Sequence, residues 1–360
     1  MIGSTLHQKK VLLCPLNWGL GHAARSIPIA REFQKQGYSV DFASDGAPLE
    51  LLRKEFPTAR FFELPGFGIT YPTNNIVINV GRKMIQFITA LRAEHKVVRE
   101  IVDQHKYDIV VSDNRFGCYS PDTYNIFITH QVNIMSSSGL LDPAVNIFNH
   151  HYIRKYHQCW IPDYPNSPGL TGQLGHDHIL PHARYIGPVS RFSRARRPER
   201  FRLAAVLSGP EPQRSLLEKQ LRQQLSRFPF PTVLIGGVVS EGVPVQREEN
   251  MTHYPFMTSQ ELNEVMLESQ IIVCRGGYTT IMDLVALGKK AICIPTPGQT
   301  EQEYLTRLYE EKRYFLRQEQ HDLDLASALE RIDAYTGIPM DIEQELMEKA
   351  VSDLKEYLPG

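Results

Sequence analysis

The sequence has no long apolar run, and none of its hydrophobic segments approaches the ~20 residues that a membrane-spanning helix requires. Its amino terminus, MIGSTLHQKK, leads directly into one short apolar run and lacks the pattern of a secretion signal. We therefore expect neither an integral membrane protein nor a secreted one. We expect a cytoplasmic protein instead.

Cysteine is also scarce, and neither positive nor negative charge predominates. The five cysteines occur singly, without a CxxC pair, which predicts buried thiols in a reducing compartment. Lys and Arg number 39 against 40 Asp and Glu, and the formal net charge is −1. Bulk electrostatic binding of nucleic acid is therefore not expected, so no nucleic-acid partner is predicted.

The 360 residues suffice for two domains, and both halves alternate short apolar bursts with helical segments. This alternation indicates parallel sheets covered by helices on both faces, so the predicted fold class is α/β with two Rossmann-like domains. The predicted strands are Val11–Cys14, Ser39–Ala43, Phe61–Leu64, Asp108–Ser112 and Asn125–Thr129, then Leu203–Leu207, Thr232–Ile235, Ile271–Cys274 and Ala291–Ile294.

A polar, basic segment, SRFSRARRPER, separates the two halves. We predict an N-terminal domain over 1–189, a linker over 190–201 and a C-terminal domain over 202–340. The alternative is a basic surface loop inside one domain. Residues 341–360 are predicted to form an amphipathic helix that packs back on the first domain or stays with the second.

The first strand runs into the loop LNWGLGH, at the sheet edge where ligands bind in such folds. Gly19 and Gly21 allow a sharp turn and close approach of a ligand. His22 follows at the start of a helix, where a neutral imidazole could remove a proton from a hydroxyl group. The alternative is that His22 is simply the first residue of the helix.

Three polar residues follow the strand that ends at 112. Asp113 would orient His22 and stabilise its protonated form, or alternatively cap the next turn. Asn114 and Arg115 come next, and His130 follows the neighbouring strand. We predict that these last three, with the two loop glycines, contact the acceptor.

The C-terminal half carries a sharper pattern at its strand ends. A glycine pair between a strand and a helix exposes N–H groups that suit a diphosphate, and an acid one turn later suits ribose hydroxyls. The next junction offers amide and carboxylate groups for sugar hydroxyls. The predicted donor-binding residues are Ser208, Gly209, Arg275, Gly276, Gly277, Thr279, Asp283, Gln302 and Glu303.

The run CRGGYTTIMDLVALGKKAICIP, followed by Gln302-Glu303-Tyr304, resembles the donor region of MurG-type N-acetylglucosaminyltransferases. In that family the first loop also ends Gly-His, and the donor region reads Cys-Arg-Ser-Gly and later Gln-Gln-Tyr. The likeness covers most of the chain, is specific over 271–306 and is moderate over 11–31. The family has a C-terminal domain of glycosyltransferase family 28.

This resemblance implies the GT-B architecture, in which two Rossmann-like domains face a cleft, and transfer of a hexosyl group from a UDP-sugar. It implies that His22 lies at the reaction centre and that Gln302 touches the donor sugar. It also implies that Ser208 and Gly209 face the diphosphate. Asp283 replaces a longer Glu, and two prolines without N–H groups enter the phosphate loop SGPEPQR. Glu303 in place of Gln indicates a different donor sugar.

The predicted mechanism is inverting and independent of metal. His22, held by Asp113, removes the acceptor proton, while helix N-termini and Arg275 stabilise the departing diphosphate. No acidic pair with metal spacing stands in a fitting place, and the histidines of 150–182 lack a ligand pattern. We expect no metal and no cofactor besides the nucleotide-sugar substrate.

Several alternatives remain open from the sequence. A Gly-His-x-x-Arg loop like that of residues 21–25 also occurs in nucleotide-sugar hydrolases, and an epimerase or a non-catalytic nucleotide-sugar-binding subunit fits the same fold. The acceptor could be a cell-envelope glycan, a lipid-linked molecule or a small molecule. Segment Ile76–Leu91 is interpreted as a core helix, with peripheral contact to the inner membrane face as the alternative.

Overall fold

The computed structural model describes residues 8–66, 76–135, 139, 142–177, 180–238, 244–339 and 344–358, with backbone alone over 76–86. Within these ranges the chain forms two seven-stranded sheets covered by helices. This is the α/β architecture of two Rossmann-like domains that the sequence predicts.

The first sheet is parallel throughout and has the order β3-β2-β1-β4-β5-β6-β7. Its central strands are apolar and buried on both faces, as expected for a parallel sheet between helices. The strands are β1 (Lys10–Pro15), β2 (Ser39–Ser44), β3 (Phe61–Glu63), β4 (Ile109–Asp113), β5 (Tyr124–Ile128), β6 (Gln158–Ile161) and β7 (Ala183–Tyr185).

The register between β1 and β4 places Pro15 opposite Asp113. The carboxyl ends of these two strands therefore meet at one edge, where the loop after β1 enters the first helix. The helices of this domain are α1 (Gly21–Lys35), α2 (Gly46–Glu55), α3 (Ile76–His105), α4 (Asp142–Ile153) and α5 (Gln173–His176).

The second sheet has the order β10-β11-β9-β8-β12-β13-β14 and is parallel except between β10 and β11. Its central strand β8 lies between β9 and β12. The strands are β8 (Phe201–Val206), β9 (Thr232–Ile235), β10 (Gln246–Arg247), β11 (Met251–Tyr254), β12 (Ser269–Cys274), β13 (Lys290–Cys293) and β14 (Leu316–Arg317).

The helices of the second half start and stop where local chemistry favours it. Thr258 and Glu261 form a capping box at one N-terminus, and Gly288 ends another helix in the left-handed region that glycine favours. The helices are α6 (Gln213–Leu225), α7 (Ser259–Leu267), α8 (Tyr278–Leu287), α9 (Thr300–Glu311), α10 (Leu325–Arg331) and α11 (Gln344–Ser352).

Helix α11 packs on the first domain although it follows the second in the chain. Glu348 accepts a hydrogen bond from Lys35 Nζ at 3.1 Å. Just beyond the helix, Asp353 pairs with Arg184 at 2.8 Å. The C-terminal segment therefore packs against the domain of the first sheet.

Two further expectations concern burial and membranes. All five cysteines are buried free thiols, as predicted. No helix in the described part of the chain is both long and apolar enough to cross a membrane. Segment Ile76–Leu91 begins α3, but the side chains of 76–86 lie outside the described residues, so its predicted role stays a prediction.

Candidate active site

A cavity of about 430 Å³ lies between the two domains, at the carboxyl ends of strands from both sheets. The loop after β1 and the start of α8 meet across it, because Thr279 Oγ1 donates a hydrogen bond to the Gly21 carbonyl at 3.2 Å. What we call the N-terminal wall comprises Gly19, Gly21, His22, Arg25, Asn114 and His130; the C-terminal wall comprises Ser208, Gly209, Gly277, Thr279, Asp283 and Gln302.

The N-terminal wall brings His22 and Asp113 together. His22 Nδ1 lies 2.9 Å from Asp113 Oδ1, and the aspartate is fully buried at the end of β4. The residues are 91 positions apart in the chain, and the pairing of β1 with β4 makes them neighbours. The predicted His–Asp contact is therefore present in the structure.

Arg25, one turn after His22 in α1, completes this cluster. Its Nε donates to Asp113 Oδ2 at 2.6 Å, and its Nη2 donates to Asp113 Oδ1. The Arg25 side chain is 1% exposed, so this is a buried, bidentate ion pair. Sequence reasoning missed this role, although the Arg stood in the Gly-His-x-x-Arg pattern.

The charges in this cluster set the protonation of both partners. Burial alone would raise the pKa of Asp113, but Arg25 and His22 hold it well below its ordinary value. Burial lowers the pKa of His22, Asp113 opposes that effect, and Arg25 adds to it. At neutral pH the site therefore holds an ionised Asp113 and a neutral imidazole, which is able to accept a proton.

His130 extends the cluster toward the second domain. Its Nδ1 lies 3.0 Å from Arg25 Nη1, and its Nε2 lies 3.0 Å from Glu301 Oε1 at the start of α9. Its ring stacks on Tyr278 with centroids 4.5 Å apart and planes 11° apart. Sequence reasoning missed Glu301 and Tyr278, because their partners belong to the other half of the chain.

The remaining residues predicted for this side divide into two groups. Gly19, at φ +73°, would place a Cβ only 3.8 Å from Gly209 Cα, so the loops of the two domains approach closely here. Gly21 and Asn114 also line the cavity. Arg115 does not line the cavity.

The C-terminal wall presents mainly backbone and uncharged polar groups. Gly277 occupies the N-cap position of α8, so the free N–H groups of that helix start beside the cavity. Ser208 and Gly209 follow β8 on the same side. Gln302 lines the cavity as well, with its Oε1 accepting a hydrogen bond from the Thr296 amide at 2.9 Å. An anion bound against these residues would be held by amide and hydroxyl donors.

Asp283 is the charged exception on this wall. Its Oδ1 accepts a hydrogen bond from Ser190 Oγ at 2.5 Å, and the side chain is buried. Burial raises the pKa of Asp283 to about 6, although Arg191 and Ser190 counteract part of that rise. Arg191, which sequence reasoning did not single out, lines the same cavity.

The chain is similar to glycosyltransferases in both sequence and structure. Residues 215–354 match the glycosyltransferase family 28 C-terminal domain. Over 333 residues the chain is 26% identical to an uncharacterized glycosyltransferase of Methanosarcina acetivorans, in an alignment that covers 85% of this chain and 82% of that protein. The chain is a glycosyltransferase of the GT-B fold.

Two further similarities extend this result. Over 96 residues, 26% of each protein, the glycosyltransferase is 33% identical to the UDP-N-acetylglucosamine–N-acetylmuramyl-(pentapeptide) pyrophosphoryl-undecaprenol N-acetylglucosamine transferase of Caldanaerobacter subterraneus. Its structure matches that of the kitacinnamycin glycotransferase with a TM-score of 0.65 at 13% identity, over 98% of this chain and 100% of that one. The predicted likeness to MurG-type enzymes of the GT-B fold is confirmed.

Two arginines of this glycosyltransferase do not face the cavity as predicted. Arg275 is 1% exposed, and its guanidinium donates to the carbonyls of Gln213 at 2.8 Å, Pro295 at 3.2 Å and Ile294 at 3.4 Å. Arg115 is fully buried beside Glu94, with Asp45 2.7 Å from its Nη1. Both guanidinium groups brace the loops at strand ends, and neither lines the cavity.

Gly276 and Glu303 also differ from the sequence prediction. A Cβ on Gly276 would collide with Thr306 Cγ2 of α9, so this glycine permits helix packing and does not line the cavity. Glu303 Oε1 accepts a hydrogen bond from the Gly298 amide at 2.9 Å and stabilises the loop before α9. Glu301, two residues earlier, is the acid that lines the cavity.

The side chains that the structure describes bear on the predicted independence from metal. Among those residues, no group of three or more His, Cys, Asp or Glu is arranged to hold a metal ion. Within the predicted histidine-rich stretch, His176 Nε2 lies 3.2 Å from Asp163 in a buried pair, and His150 contacts the Val132 carbonyl. The predicted independence from metal stays a prediction.

Proposed function

We propose that this glycosyltransferase moves a sugar from a UDP-sugar to a hydroxyl acceptor, with inversion at the anomeric carbon and His22 as general base. The observation that carries the proposal is the position of the His22–Asp113 pair opposite the N-terminus of α8 across one cavity. One wall suits proton removal and the other suits a diphosphate, and the cavity between them can hold the reacting sugar.

The donor would lie against the C-terminal wall. The free amides at the start of α8, with Ser208 and Gly209, would bind the diphosphate, and Asp283 would accept hydrogen bonds from the ribose. Gln302 would contact the sugar. A uridine base is favoured because the Caldanaerobacter subterraneus relative is named for UDP-N-acetylglucosamine.

The reaction would then proceed in one displacement. The acceptor hydroxyl loses its proton to His22 Nε2 as its oxygen bonds to the anomeric carbon, and the bond from that carbon to the diphosphate breaks. Asp113 stabilises the imidazolium that forms, and the N-terminus of α8 stabilises the charge on the departing diphosphate. Because the attack comes from the wall opposite the leaving group, the configuration inverts.

The acceptor would approach over the N-terminal wall, where apolar side chains adjoin the base. Ile134 and Met135 line the cavity beside His130, and Trp18, which is 48% exposed, stands next to Gly19. An acceptor with one apolar face next to its hydroxyl therefore fits this wall best. We also propose that the transfer takes place in the cytoplasm, the compartment predicted from the sequence.

The test begins with a thermal-shift panel of UDP-, dTDP- and GDP-sugars, followed by transfer assays with and without EDTA. We expect UDP-sugars to stabilise the protein, by about 2.7 kcal/mol at 100 times the dissociation constant. Transfer should proceed unchanged with EDTA. Stabilisation by dTDP- or GDP-sugars alone would contradict the donor assignment, and hydrolysis at full rate without any acceptor would contradict transfer.

His22→Ala tests the assignment of the base. Loss of a general base typically lowers the rate about 10²–10⁴-fold, whereas donor affinity should change little because His22 stands on the opposite wall. Measuring turnover and the UDP dissociation constant on the same preparation separates the two effects. An unchanged turnover number would remove His22 from the mechanism.

A further inference from the structure

One guanidinium group, that of Arg25, contacts every titratable side chain of the N-terminal wall. It binds Asp113 with two donors, lies 2.9 Å from His22 Nδ1 and lies 3.0 Å from His130 Nδ1. We propose that Arg25 is a positioning residue that fixes the proton positions of both histidines and keeps His22 neutral and ready to act as the base. The proposal rests on the proposed function in one respect, the role of His22.

The proton on His130 follows from donor chemistry. Arginine carries only donors, so the His130 Nδ1 that faces Arg25 Nη1 must accept. Its proton therefore sits on Nε2, where it is donated to Glu301 Oε1 at 3.0 Å. Arg25 thus selects one neutral tautomer of His130. That tautomer holds a carboxylate of the second domain at the cavity.

The proton on His22 follows from the charge of Asp113. His22 Nδ1 lies 2.9 Å from both Asp113 Oδ1 and Arg25 Nη2, but Arg25 Nη2 already donates to Asp113 Oδ1. The Asp113 carboxylate is ionised and is therefore the acceptor for this nitrogen, so Nδ1 carries the hydrogen and donates it. The other ring nitrogen, Nε2, is then unprotonated and free for the acceptor hydroxyl. The positive charge of Arg25 opposes a second proton on the ring before the reaction begins.

Four groups surround the His22 ring and set its titration. Asp113 from β4 favours the imidazolium, whereas Arg25 from α1 disfavours it. A charge on His130, after β5, would also disfavour it, and Glu301 from α9 is a carboxylate of the second domain that interacts with the ring. Without Arg25, a buried and uncompensated Asp113 would draw a proton onto His22 from solvent. The base would then be blocked at a higher pH than in the native protein.

The first experiment compares the pH dependence of kcat/KM for the native protein, Arg25→Gln, Arg25→Lys and Arg31→Gln. We expect Arg25→Gln to move the acidic limb upward by about one pH unit or more, the scale of a nearby charge. Arg25→Lys keeps the charge and should leave the limb in place while the rate falls. Arg31, an exposed residue of the same helix that pairs with Glu55, is the matched control and should change neither.

The second experiment does not depend on turnover. Nitrogen-15 NMR of histidine-labelled protein, assigned with His22→Gln and His130→Gln, reports the tautomer and titration of each ring. We expect hydrogen on Nδ1 of His22 and on Nε2 of His130 in the native protein. We also expect His22 to titrate at higher pH in Arg25→Gln.

These results separate the inference from the proposed function. An acidic limb of Arg25→Gln that coincides with the native one, in protein that binds UDP normally, would overturn the inference. So would hydrogen on His130 Nδ1, a result that is accessible even if Arg25→Gln fails to fold. Full turnover by His22→Ala, with the NMR result as expected, would instead overturn only the assignment of His22 as the base.

Discussion

The two walls of the cavity present different kinds of chemical groups. In the N-terminal wall, Arg25 and two histidines form a cluster with the buried Asp113, and Arg25 contacts the other three. The C-terminal wall presents mainly helix amides, hydroxyl groups, glycines and an amide side chain, with Asp283 as its one titratable member. Moving a proton needs groups whose charge can change, whereas holding a diphosphate needs only fixed donors.

Two buried arginines, Arg25 and Arg275, differ in the same way as the walls to which they contribute. Arg25 is neutralised by a carboxylate and adjoins the proposed reacting groups, so its charge acts on their protonation. Arg275 donates to three carbonyls without an acidic partner, and burial lowers its pKa to about 10. Its contribution is to the shape of the wall. Substitutions on the two sides should therefore fail in different ways.

The largest effect is expected from Asp113→Asn. The change leaves the buried Arg25 charge without a carboxylate to neutralise it, which typically costs about 3–5 kcal/mol of stability. It also removes the group that stabilises the protonated base, so we expect a rate loss on the order of 10²–10⁴. Urea unfolding and turnover should be measured together, with Asp122→Asn, an exposed aspartate of the same domain, as control.

The comparison would break if Asp113→Asn retained native stability. In that case Arg25 would be paired elsewhere, and the charged cluster would not organise the N-terminal wall. A stable variant with low turnover would leave only the chemical role of the carboxylate.

The central part of each sheet could be predicted from the sequence, because β1, β4, β8 and β12 are apolar bursts ended by polar residues. At the edges the prediction was incomplete: β3 was predicted, but the last two strands of the first sheet and the outermost strands of the second were not. Strands β6 and β7 extend the first sheet with four and three residues, and β14 has only two. Such segments are too short to carry a periodic signal, and neighbouring strands specify them. The two-residue β10 was missed for the same reason, whereas β11, with the sequence MTHY, was missed because it lacks a continuous apolar run.

The next effect in size is expected from Arg275→Met. Arg275 follows β12 and donates to two carbonyls after β13 and to one at the start of α6. The variant removes this donor from all three, and we expect a loss of stability on the order of 3 kcal/mol. We expect weaker UDP binding by roughly tenfold, because 1.4 kcal/mol of lost preorganisation corresponds to that factor. The acidic limb of kcat/KM should not move.

Calorimetric titration with UDP and urea unfolding would measure both quantities. Arg275→Lys is the matched variant, since it keeps a charge but cannot reach all three carbonyls. Loss of UDP affinity at unchanged stability would mean that Arg275 contacts the diphosphate directly.

The site could be predicted only as far as strand ends reveal it. His22 and Asp113 each follow a predicted strand, so the rule for parallel sheets placed them together. Arg25 and Glu301 follow no such rule, because their roles depend on partners 88 and 171 residues away. Arg115 and Arg275 also follow strands, yet their long side chains fold back to brace loops. The position of an arginine in the sequence does not determine the direction in which its side chain points.

A smaller effect is expected from Asp283→Asn, and its sign depends on pH. The pKa of Asp283 is raised to about 6 in the folded protein, so its contribution to stability is present near pH 4 and lost as pH rises through 6. The loss amounts to roughly 3 kcal/mol, since each pH unit corresponds to about 1.4 kcal/mol. Asparagine keeps the shape and does not titrate.

Urea unfolding of both proteins at several values between pH 4 and 7 would test this. The native protein should lose stability relative to Asp283→Asn across that interval. If the free energies of unfolding of the two proteins differed by the same amount at every pH, the pKa of Asp283 would be the same in the folded and unfolded states. Burial in the C-terminal wall would then not disfavour its charged form.

The smallest effect is expected where the walls touch, at Thr279. Its hydroxyl donates to the Gly21 carbonyl at 3.2 Å, and one such bond typically contributes about 0.5–1.5 kcal/mol. Thr279→Val keeps the volume and removes the donor, whereas Thr279→Ser keeps the donor. We expect the valine variant alone to unfold at lower urea concentration. If serine were as damaging as valine, the methyl group and not the hydrogen bond would join the two walls.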